Sequence, residues 1–303
     1  MNRILPIGVI IVSFLMLMAG RAYGAPDSME VEKAEPQTVG QAAARYGALI
    51  GFPTVVLAYG METWDWGSRG SWRWRDEGWF GRDTDLGGAD KFGHMWACYA
   101  ITRISWSTFS YSEGDSWTKW LFTPLVAFTI GLGIEVGDAY TGKYGFSYQD
   151  LVMDSLGIAL GMAFEAFPKV GAFVGFSLSY WPTNRFLDYE DRTLMDIESD
   201  ISGYRYLLSF KLNGFHEIGF DVPDALRYLM LDLGYYTHGF SKYDEAVGDN
   251  SRRRNFFIGL SLNTAEVIRS AFRNSGSNLQ AVTATPFEYF HVPVGLTKSF
   301  ALD

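Results

Sequence analysis

The stretch that organises this chain reads Asp90-Lys91-Phe92-Gly93-His94, and it opens a largely apolar run from Met95 to Phe109. Asp90 and His94 are four residues apart, so on a helix they share one face and their side chains come within reach of each other. Charged groups are costly in apolar surroundings unless they are paired or functional. The pattern therefore predicts a helix that carries a polar site at its N-terminal end.

Working outward, two later apolar segments also carry carboxylates. Glu135 and Asp138 lie near the end of one segment, and Asp150 and Asp154 lie near the start of the next. We interpret the three segments as parts of one site, because isolated carboxylates on apolar helices would each cost several kcal/mol. The candidate site residues are Asp90, Lys91, His94, Glu135, Asp138, Asp150 and Asp154.

Each candidate residue also has a structural explanation. Ser147 and Asp150 fit the Ser-x-x-Asp pattern of a capping box at a helix start. Asp154 lies one turn further in, where no cap can use it. A closed network of ion pairs and hydrogen bonds that links the helices would account for the whole set without any chemistry.

The alternative is a metal or acid–base site. One imidazole with several carboxylates is a ligand set typical of Zn²⁺ or Mn²⁺, although no His-Glu-x-x-His signature is present. Carboxylates clustered around a histidine also raise one another's pKa, which suits proton transfer. The candidate ligands of a divalent metal are His94, Glu135, Asp138 and Asp154.

Composition and missing motifs exclude several functions. The formal net charge is −9 at pH 7, which argues against nucleic acid as a partner. The sequence has no phosphate loop and no dinucleotide fingerprint, so we expect no nucleotide to bind. It also has no Gly-x-Ser-x-Gly motif, which would indicate a serine nucleophile. The aromatic share of 17% is high, and Tyr and Trp gather at membrane interfaces.

The N-terminus predicts export. Residues 1–24 combine a basic start, an apolar core from Ile4 to Met18 and a small-x-small site at Ala22-Tyr23-Gly24, which is the pattern of a signal peptide. Residues 25–41 are rich in Pro, Glu and Lys, as in a linker. The residue directly after the cleavage site is not a cysteine, which argues against a lipid anchor. Cys98, further along the chain, fits a small core residue.

Residues 42–168 predict a helical core of about four apolar helices. The later three cover roughly Lys91–Phe109, Trp117–Tyr140 and Tyr148–Phe167, and each is near the length that spans a bilayer. Gly157 and Gly161 have the spacing of a tight helix crossing. The same features suit the buried centre of a helical bundle, so both alternatives remain open. The tryptophan-rich stretch 64–85 fits either a lid over these helices or a lipid interface.

Residues 169–303 change to a period of two, which predicts a strand-rich extension. The strands are expected at Val174–Tyr180, Tyr204–Asn213, Tyr228–Tyr236, Phe256–Asn263 and His291–Phe300. One face is apolar and the other mostly small or polar, as in a half-buried antiparallel sheet or partial barrel. We expect the helices to complete the sheet, with its Gly/Ser face letting them pack closely.

Three motifs in order carry a family resemblance. Asp-Lys-x-x-His at 90–94, Glu-x-x-Asp at 135–138 and Gly-Phe-Ser-x-x-Asp-x-x-x-Asp at 145–154 resemble the YfiM-like family. The resemblance covers about Leu86 to Phe167 and implies a periplasmic or outer-membrane protein, often a lipoprotein, with a domain of unknown function. The helical core is also distantly similar to VanZ-like membrane proteins, which usually have Asn where this chain has Asp154.

These observations predict an α+β protein in which a membrane-associated helical core packs with a C-terminal antiparallel sheet. We expect an exported protein of the outer membrane or the periplasmic face of the envelope. Its expected role is a non-catalytic structural module that binds membrane lipid or an envelope protein. The alternative is a metal-dependent or acid–base hydrolase that acts on an envelope substrate through the cluster of His94 and the carboxylates.

Overall fold

Helices come first along the chain and an antiparallel sheet follows, as the sequence predicts. A computed structural model describes residues 38–113, 117–190, 192–249, 251–272 and 283–303. The predicted signal peptide and almost all of the predicted linker lie outside the described residues.

The first helical stretch begins inside the predicted linker, three residues before the predicted boundary. Thr38 forms a capping box with Gln41: Gln41 N–H donates to Thr38 Oγ1 at 3.2 Å and Thr38 N–H donates to Gln41 Oε1 at 2.9 Å. Pro53 lies in the first turn of the second helix, where its missing N–H costs nothing. The elements are α1 (Val39–Tyr46), a π turn (Gly47–Gly51) and α2 (Phe52–Thr63).

Three long helices form the rest of the bundle, and glycines let two of them cross closely. A side chain at Gly157 would meet Met95 O at 2.1 Å, and one at Gly161 would meet Thr102 Cβ at 2.8 Å. The predicted tight crossing through these two glycines is confirmed. The helices are α3 (Ala89–Glu113), α4 (Thr118–Asp138), α5 (Tyr148–Ala166) and the short α6 (Pro168–Phe173).

Within the described residues the sheet has five strands in the order β1-β2-β3-β4-β5, and every neighbouring pair is antiparallel. The strands are β1 (Val174–Tyr180), β2 (Tyr204–Lys211), β3 (Leu229–His238), β4 (Arg253–Leu262) and β5 (Gly295–Ala301). All five lie where the period of two predicts them. Residues 291–294, expected in the last strand, precede β5 instead.

Short helical elements connect the strands. The α-helices among them are α7 (Asn184–Asp188), α8 (Lys242–Ala246), α9 (Thr264–Ala271) and α10 (Pro286–Tyr289). The 3₁₀ turns are Leu194–Ser199, Ile201–Gly203, Leu212–Ile218 and Asp224–Tyr228. Strands that follow one another in the sequence pair as neighbours across these connections.

The apolar face of β1 and β2, not the Gly/Ser face, packs against the helices. Phe176, Leu178 and Tyr206 form one core cluster with Tyr99 of α3 and Phe164 of α5. The expectation that small residues would face the helices was therefore wrong. Aromatic and branched side chains fill the space between a sheet and helices better than glycine and serine, because burial of apolar area drives the contact.

On the opposite face, the residues of β1 to β4 are mostly small or polar and many of them are buried. Ser209 Oγ donates to Asp232 Oδ1 at 2.6 Å, and both side chains are buried. The segment after α10 starts at the edge of β1, where His291 N–H donates to Leu178 O at 2.7 Å. It ends beside β4, where Leu262 N–H donates to Val294 O at 3.1 Å.

Only two of the described helical stretches are long and apolar enough to cross a membrane, rather than about four. They are Val39–Thr63 and Thr118–Asp138, with 17% and 33% of their apolar windows buried. The helix α3 departs from the expectation because polar residues such as Thr102 and Ser105 occupy its buried face. The helix α5 carries Asp150 and Asp154. Both α3 and α5 are therefore core helices of the bundle.

Candidate functional site

The predicted site residues meet where three helix ends converge. Asp90, Lys91 and His94 lie in the first turns of α3, and Glu135 and Asp138 lie in the last turn of α4. The other two, Asp150 and Asp154, lie in the first two turns of α5. Their proximity follows from the short connection between α4 and α5 and from the close crossing of α3 with α5.

Lys91 forms the centre of one half of the cluster, which we call the lysine half. Its side chain is only 1% exposed. The ammonium Nζ donates to Glu77 Oε2 and to Asp90 Oδ2, each at 2.7 Å, and lies 2.8 Å from Asp150 Oδ1. Three carboxylates thus surround one ammonium, which has three N–H donors to match them.

His94 forms the centre of the other half, which we call the histidine half. Its Nδ1 donates to Asp154 Oδ1 at 3.1 Å. Its Nε2 lies 3.9 Å from both Glu135 Oε1 and Asp150 Oδ1, beyond hydrogen-bond distance. The imidazole is 23% exposed, whereas Glu135 and Asp154 are each 1% exposed. Solvent therefore reaches the imidazole but hardly reaches these two carboxylates.

The start of α5 is tied to Glu135. Ser147 N–H donates to Glu135 Oε2 at 2.8 Å, and Asp150 N–H donates to Ser147 Oγ at 3.3 Å. Only this second bond belongs to the predicted capping box, because the Asp150 carboxylate turns to Lys91 instead of back to the helix start. A buried lysine attracts the carboxylate more strongly than a backbone N–H does, since the contact joins two full charges.

Asp138 lies at the edge of the cluster and is held by an indole. Trp66 Nε1 donates to Asp138 Oδ1 at 2.7 Å. The structure therefore places Asp138 away from the atoms that converge on His94 Nε2. Asp154 contacts the opposite ring nitrogen. Among the described residues, the groups that converge closely enough to hold a metal ion are His94, Glu135 and Asp150, and separately Glu77, Asp90 and Asp150.

The tryptophan-rich stretch lies over this end of the bundle. Arg73 N–H donates to Ala139 O at 2.9 Å, and Phe146 N–H donates to Arg73 O at 2.8 Å. Trp74 packs edge-on against Phe146, with ring centroids 4.8 Å apart, while 68% of the tryptophan remains exposed. The contacts are those of a lid, which is one of the two alternatives that the sequence leaves open; the other is a lipid interface.

Burial and the clustered charges shift the acidities of the site. Burial lowers the pKa of His94 and Lys91, but the neighbouring carboxylates outweigh it and raise the pKa of both well above the usual values. Burial raises the pKa of Glu135 to about 8 and that of Asp138 to about 6. Both shifts favour the protonated forms, an imidazolium at His94 and a neutral carboxyl at Glu135.

Two residues of the site were missed by sequence reasoning. Glu77 lies in the tryptophan-rich stretch, which has no helical or strand period that would indicate its direction. The sequence predicts that Cys98 is a core residue, and it is 2% exposed, but its contact with the cluster was not predicted. Its Sγ donates to Asp154 Oδ1 at 3.3 Å, and burial raises its pKa well above the usual value, so it stays a thiol. Its position one helical turn beyond His94 was the available signal.

A separate cavity lies at the end of β1 and β2. It has a volume of about 500 Å³ and contains none of the cluster residues. Its lining includes Trp181, Thr183, Ser202, Arg205 and Pro293. Arg205 is the one charged side chain in this lining, whereas the cluster brings a lysine and a histidine together with several carboxylates. The cluster is therefore the better candidate for a functional site.

Comparison with known proteins agrees with the expected compartment. Residues 76–166 match the family described as “Predicted periplasmic lipoprotein (DUF2279)”. The match starts just before Glu77 and ends with α5, so it contains every residue of both halves of the cluster and none of the strands. The description of the family supports the expected export to the periplasm and names no activity.

Other comparisons add no relative. No curated protein matches the chain, and no solved structure does. The resemblance to the YfiM-like and VanZ-like families stays a prediction. The family description includes a lipid anchor, whereas the one cysteine of this sequence is Cys98, buried in α3.

Proposed function

We propose that this chain is a non-catalytic module of the cell envelope that binds the outer membrane by laying apolar helix faces on the lipid. The observation that carries the proposal is the outward face of α4. Leu121, Leu125 and Phe128 share that face and are 50%, 47% and 38% exposed. On the opposite face, Val126 and Ile130 are buried in the bundle.

Other exposed side chains on and near α4 also fit a protein whose outward α4 face lies on the lipid. Trp117 and Trp120, at the start of the helix, are 71% and 45% exposed, and tryptophan favours the boundary between lipid and water. Val152 and Leu156 on α5 are also more than two-fifths exposed. Large apolar patches on a protein surface mark interaction with membranes or partners.

The helix rests on the membrane surface in this proposal and does not cross it. Its inner face is packed against α3 and α5, and its last turn carries Glu135 and Asp138 in the polar cluster. A bilayer around that turn would close off the solvent that still reaches the cluster at His94, and charged groups held in a bilayer core are costly. Contact along one face requires no such desolvation.

Vesicle flotation tests the proposal. The chain purified after export should float with phospholipid vesicles, and the triple variant Leu121→Ser, Leu125→Ser, Phe128→Ser should stay in the aqueous fraction. The matched control is Phe220→Ser, Leu226→Ser, Val247→Ser, which removes exposed apolar residues from loops and should float like the wild type. A wild-type chain that stays in solution, or a helix variant that floats equally well, would overturn the proposal.

Hydrolysis of an envelope substrate is the second candidate function. What favours it is the solvent-accessible imidazole that faces two carboxylates across 3.9 Å. The chain and a His94→Gln variant would be compared on ester, amide and phosphodiester substrates from the envelope. Turnover that disappears in the variant while the fold is retained would support the second candidate over the first.

A further inference from the structure

The cluster contains more negative charge than its basic side chains neutralise. Six carboxyl groups come together: Glu77, Asp90, Glu135, Asp138, Asp150 and Asp154. Lys91 and His94 face them directly, and Arg75 approaches Glu77 at 3.9 Å from the rim. Buried charge without an opposite charge is costly, so the excess favours uptake of protons or of a cation.

The lysine half already holds its cation. Glu77, Asp90 and Asp150 offer oxygens close enough together for a metal ion, but the Lys91 ammonium lies within 2.8 Å of all three. A metal ion at the same place would have to approach the ammonium closely, against strong repulsion between the two cations. In the lysine half, the Lys91 ammonium therefore takes the position that a metal ion would need.

The histidine half has the spacing that a metal ion requires. His94 Nε2 lies 3.9 Å from Glu135 Oε1 and 3.9 Å from Asp150 Oδ1, which is too far for hydrogen bonds. At the angles of about 110–120° usual between ligands, two metal–ligand bonds of about 2.1 Å place their atoms about 3.5 Å apart. An ion between these atoms therefore requires the three side chains to move inward by only about half an ångström.

Outer contacts orient the same three side chains. Asp154 accepts from Nδ1 of His94, which leaves Nε2 directed at the carboxylates, as outer carboxylates do for metal-bound histidines. Ser147 N–H fixes the other oxygen of Glu135. The Asp150 side chain is 6% exposed, and its Oδ1 accepts no well-aligned hydrogen bond from the described residues despite its contact with Lys91. That oxygen retains capacity for a further cation.

We propose that His94 Nε2, Glu135 Oε1 and Asp150 Oδ1 bind one divalent transition-metal ion, and that Lys91 takes the place of a second ion beside it. One imidazole and two carboxylates are ligands that Zn²⁺ and Mn²⁺ share. Three protein ligands leave a coordination position for water, and the partly exposed imidazole gives access from solvent. This site is independent of the lipid contact through α4.

Metal titration of matched variants tests the assignment. The chelator-treated wild type should bind one Zn²⁺ or Mn²⁺ per chain by calorimetry and by elemental analysis. Glu135→Gln should weaken binding more than about 100-fold, and Asp154→Asn, an outer contact, about 10–100-fold. Glu77→Gln makes the same chemical change in the lysine half and should retain the wild-type affinity. Equal losses in Glu77→Gln and Glu135→Gln would overturn the assignment.

Nuclear magnetic resonance of the wild type gives a readout that does not depend on comparing metal affinities between variants. The sequence has four histidines, so ¹⁵N-labelled imidazoles give few signals. Zn²⁺ should shift Nε2 of His94 and leave the other three rings unchanged, with assignment through His94→Gln. Shifts at His216, His238 or His291 instead, no shift at all, or two ions bound per chain would each overturn the proposal.

Discussion

The two halves of the buried cluster share Asp150 but solve the same electrostatic problem differently. In the lysine half, Lys91 Nζ lies 2.7–2.8 Å from three carboxylates. In the histidine half, His94 Nε2 lies 3.9 Å from two carboxylates. In the lysine half, the Lys91 ammonium neutralises the carboxylates. In the histidine half, the space between Nε2 and the carboxylates is wide enough for a metal ion, and a proton on the imidazole is the other source of positive charge.

The difference teaches that a structural network and a binding site can lie side by side in one cluster. A lysine carries its charge permanently at neutral pH and holds Asp150 in place. A histidine carries its charge only when protonated, and neutral imidazole is a metal ligand. The lysine half therefore explains stability, and the histidine half is where a ligand can act. The predictions below separate the two roles.

The largest effect is expected when the lysine half loses its cation. Lys91→Met leaves Glu77, Asp90 and Asp150 without their shared partner, and breaking a buried ion pair from one side costs about 3–5 kcal/mol. The free energy of unfolding from urea titration is the measurement. Lys169→Met, at an exposed position, is the control and should change it by less than about 0.5 kcal/mol. Equal stability of the two variants would contradict the role of Lys91.

A smaller effect is expected when the histidine half is disturbed indirectly. A side chain at Gly131 would lie 2.6 Å from Asp154 Oδ2 and 2.9 Å from Asp154 Cγ. Gly131→Ala should displace this buried carboxylate from His94 and destabilise the fold by about 1–3 kcal/mol. The control is Gly133→Ala on the same helix, which would meet the flexible end of Leu57 at 2.7 Å. It should cost clearly less, and the reverse order would count against the placement of Asp154.

The pH dependence of the metal-free chain should also report the histidine half. The pKa of Glu135 rises from 4.5 to about 8 on folding, so between these values the folded state keeps a proton that the unfolded state has released. Stability then falls as the pH rises through that window. His94, with a folded pKa well above 6.5, stabilises fully below 6.5 and loses this contribution as the pH rises through its folded pKa.

We therefore expect the free energy of unfolding to fall by about 1 kcal/mol per pH unit between about pH 5 and about pH 8. Urea titrations across this range measure the slope. The control is Glu135→Gln, whose amide does not titrate, and which should make the slope shallower while the contribution of His94 remains. A wild-type stability that rises with pH over the same range would contradict the predicted charge states.

Much of the fold followed from the periodicity of the sequence. The five strands were readable because one face alternates with the other, as in Phe176, Leu178 and Tyr180 of β1. The meeting of the three carboxylate-bearing segments was readable because charges on apolar helices need partners. The number of apolar helices could not be predicted in this way. Buried hydroxyls such as Thr102 and Ser105 make α3 less apolar than its position in the core suggests.

The division of the cluster into two halves could not be derived from the sequence. Glu77 comes from an irregular loop, so nothing in its spacing indicates that it reaches Lys91. Asp138 and Asp150 both lie at helix ends, where a small change in the boundary reverses the direction of a side chain. Which of them faces His94 depends on Trp66 and Lys91, and these contacts form only in the tertiary fold.

Anomalous diffraction from crystals of the wild-type chain soaked in Zn²⁺ is the most direct test of the two-half account. The account predicts one anomalous peak, about 2.0–2.2 Å from His94 Nε2, Glu135 Oε1 and Asp150 Oδ1. No peak should lie between Glu77 and Asp90, where the Lys91 ammonium should remain. A peak in the lysine half with Lys91 displaced, or no peak in the histidine half at saturating Zn²⁺, would contradict the account.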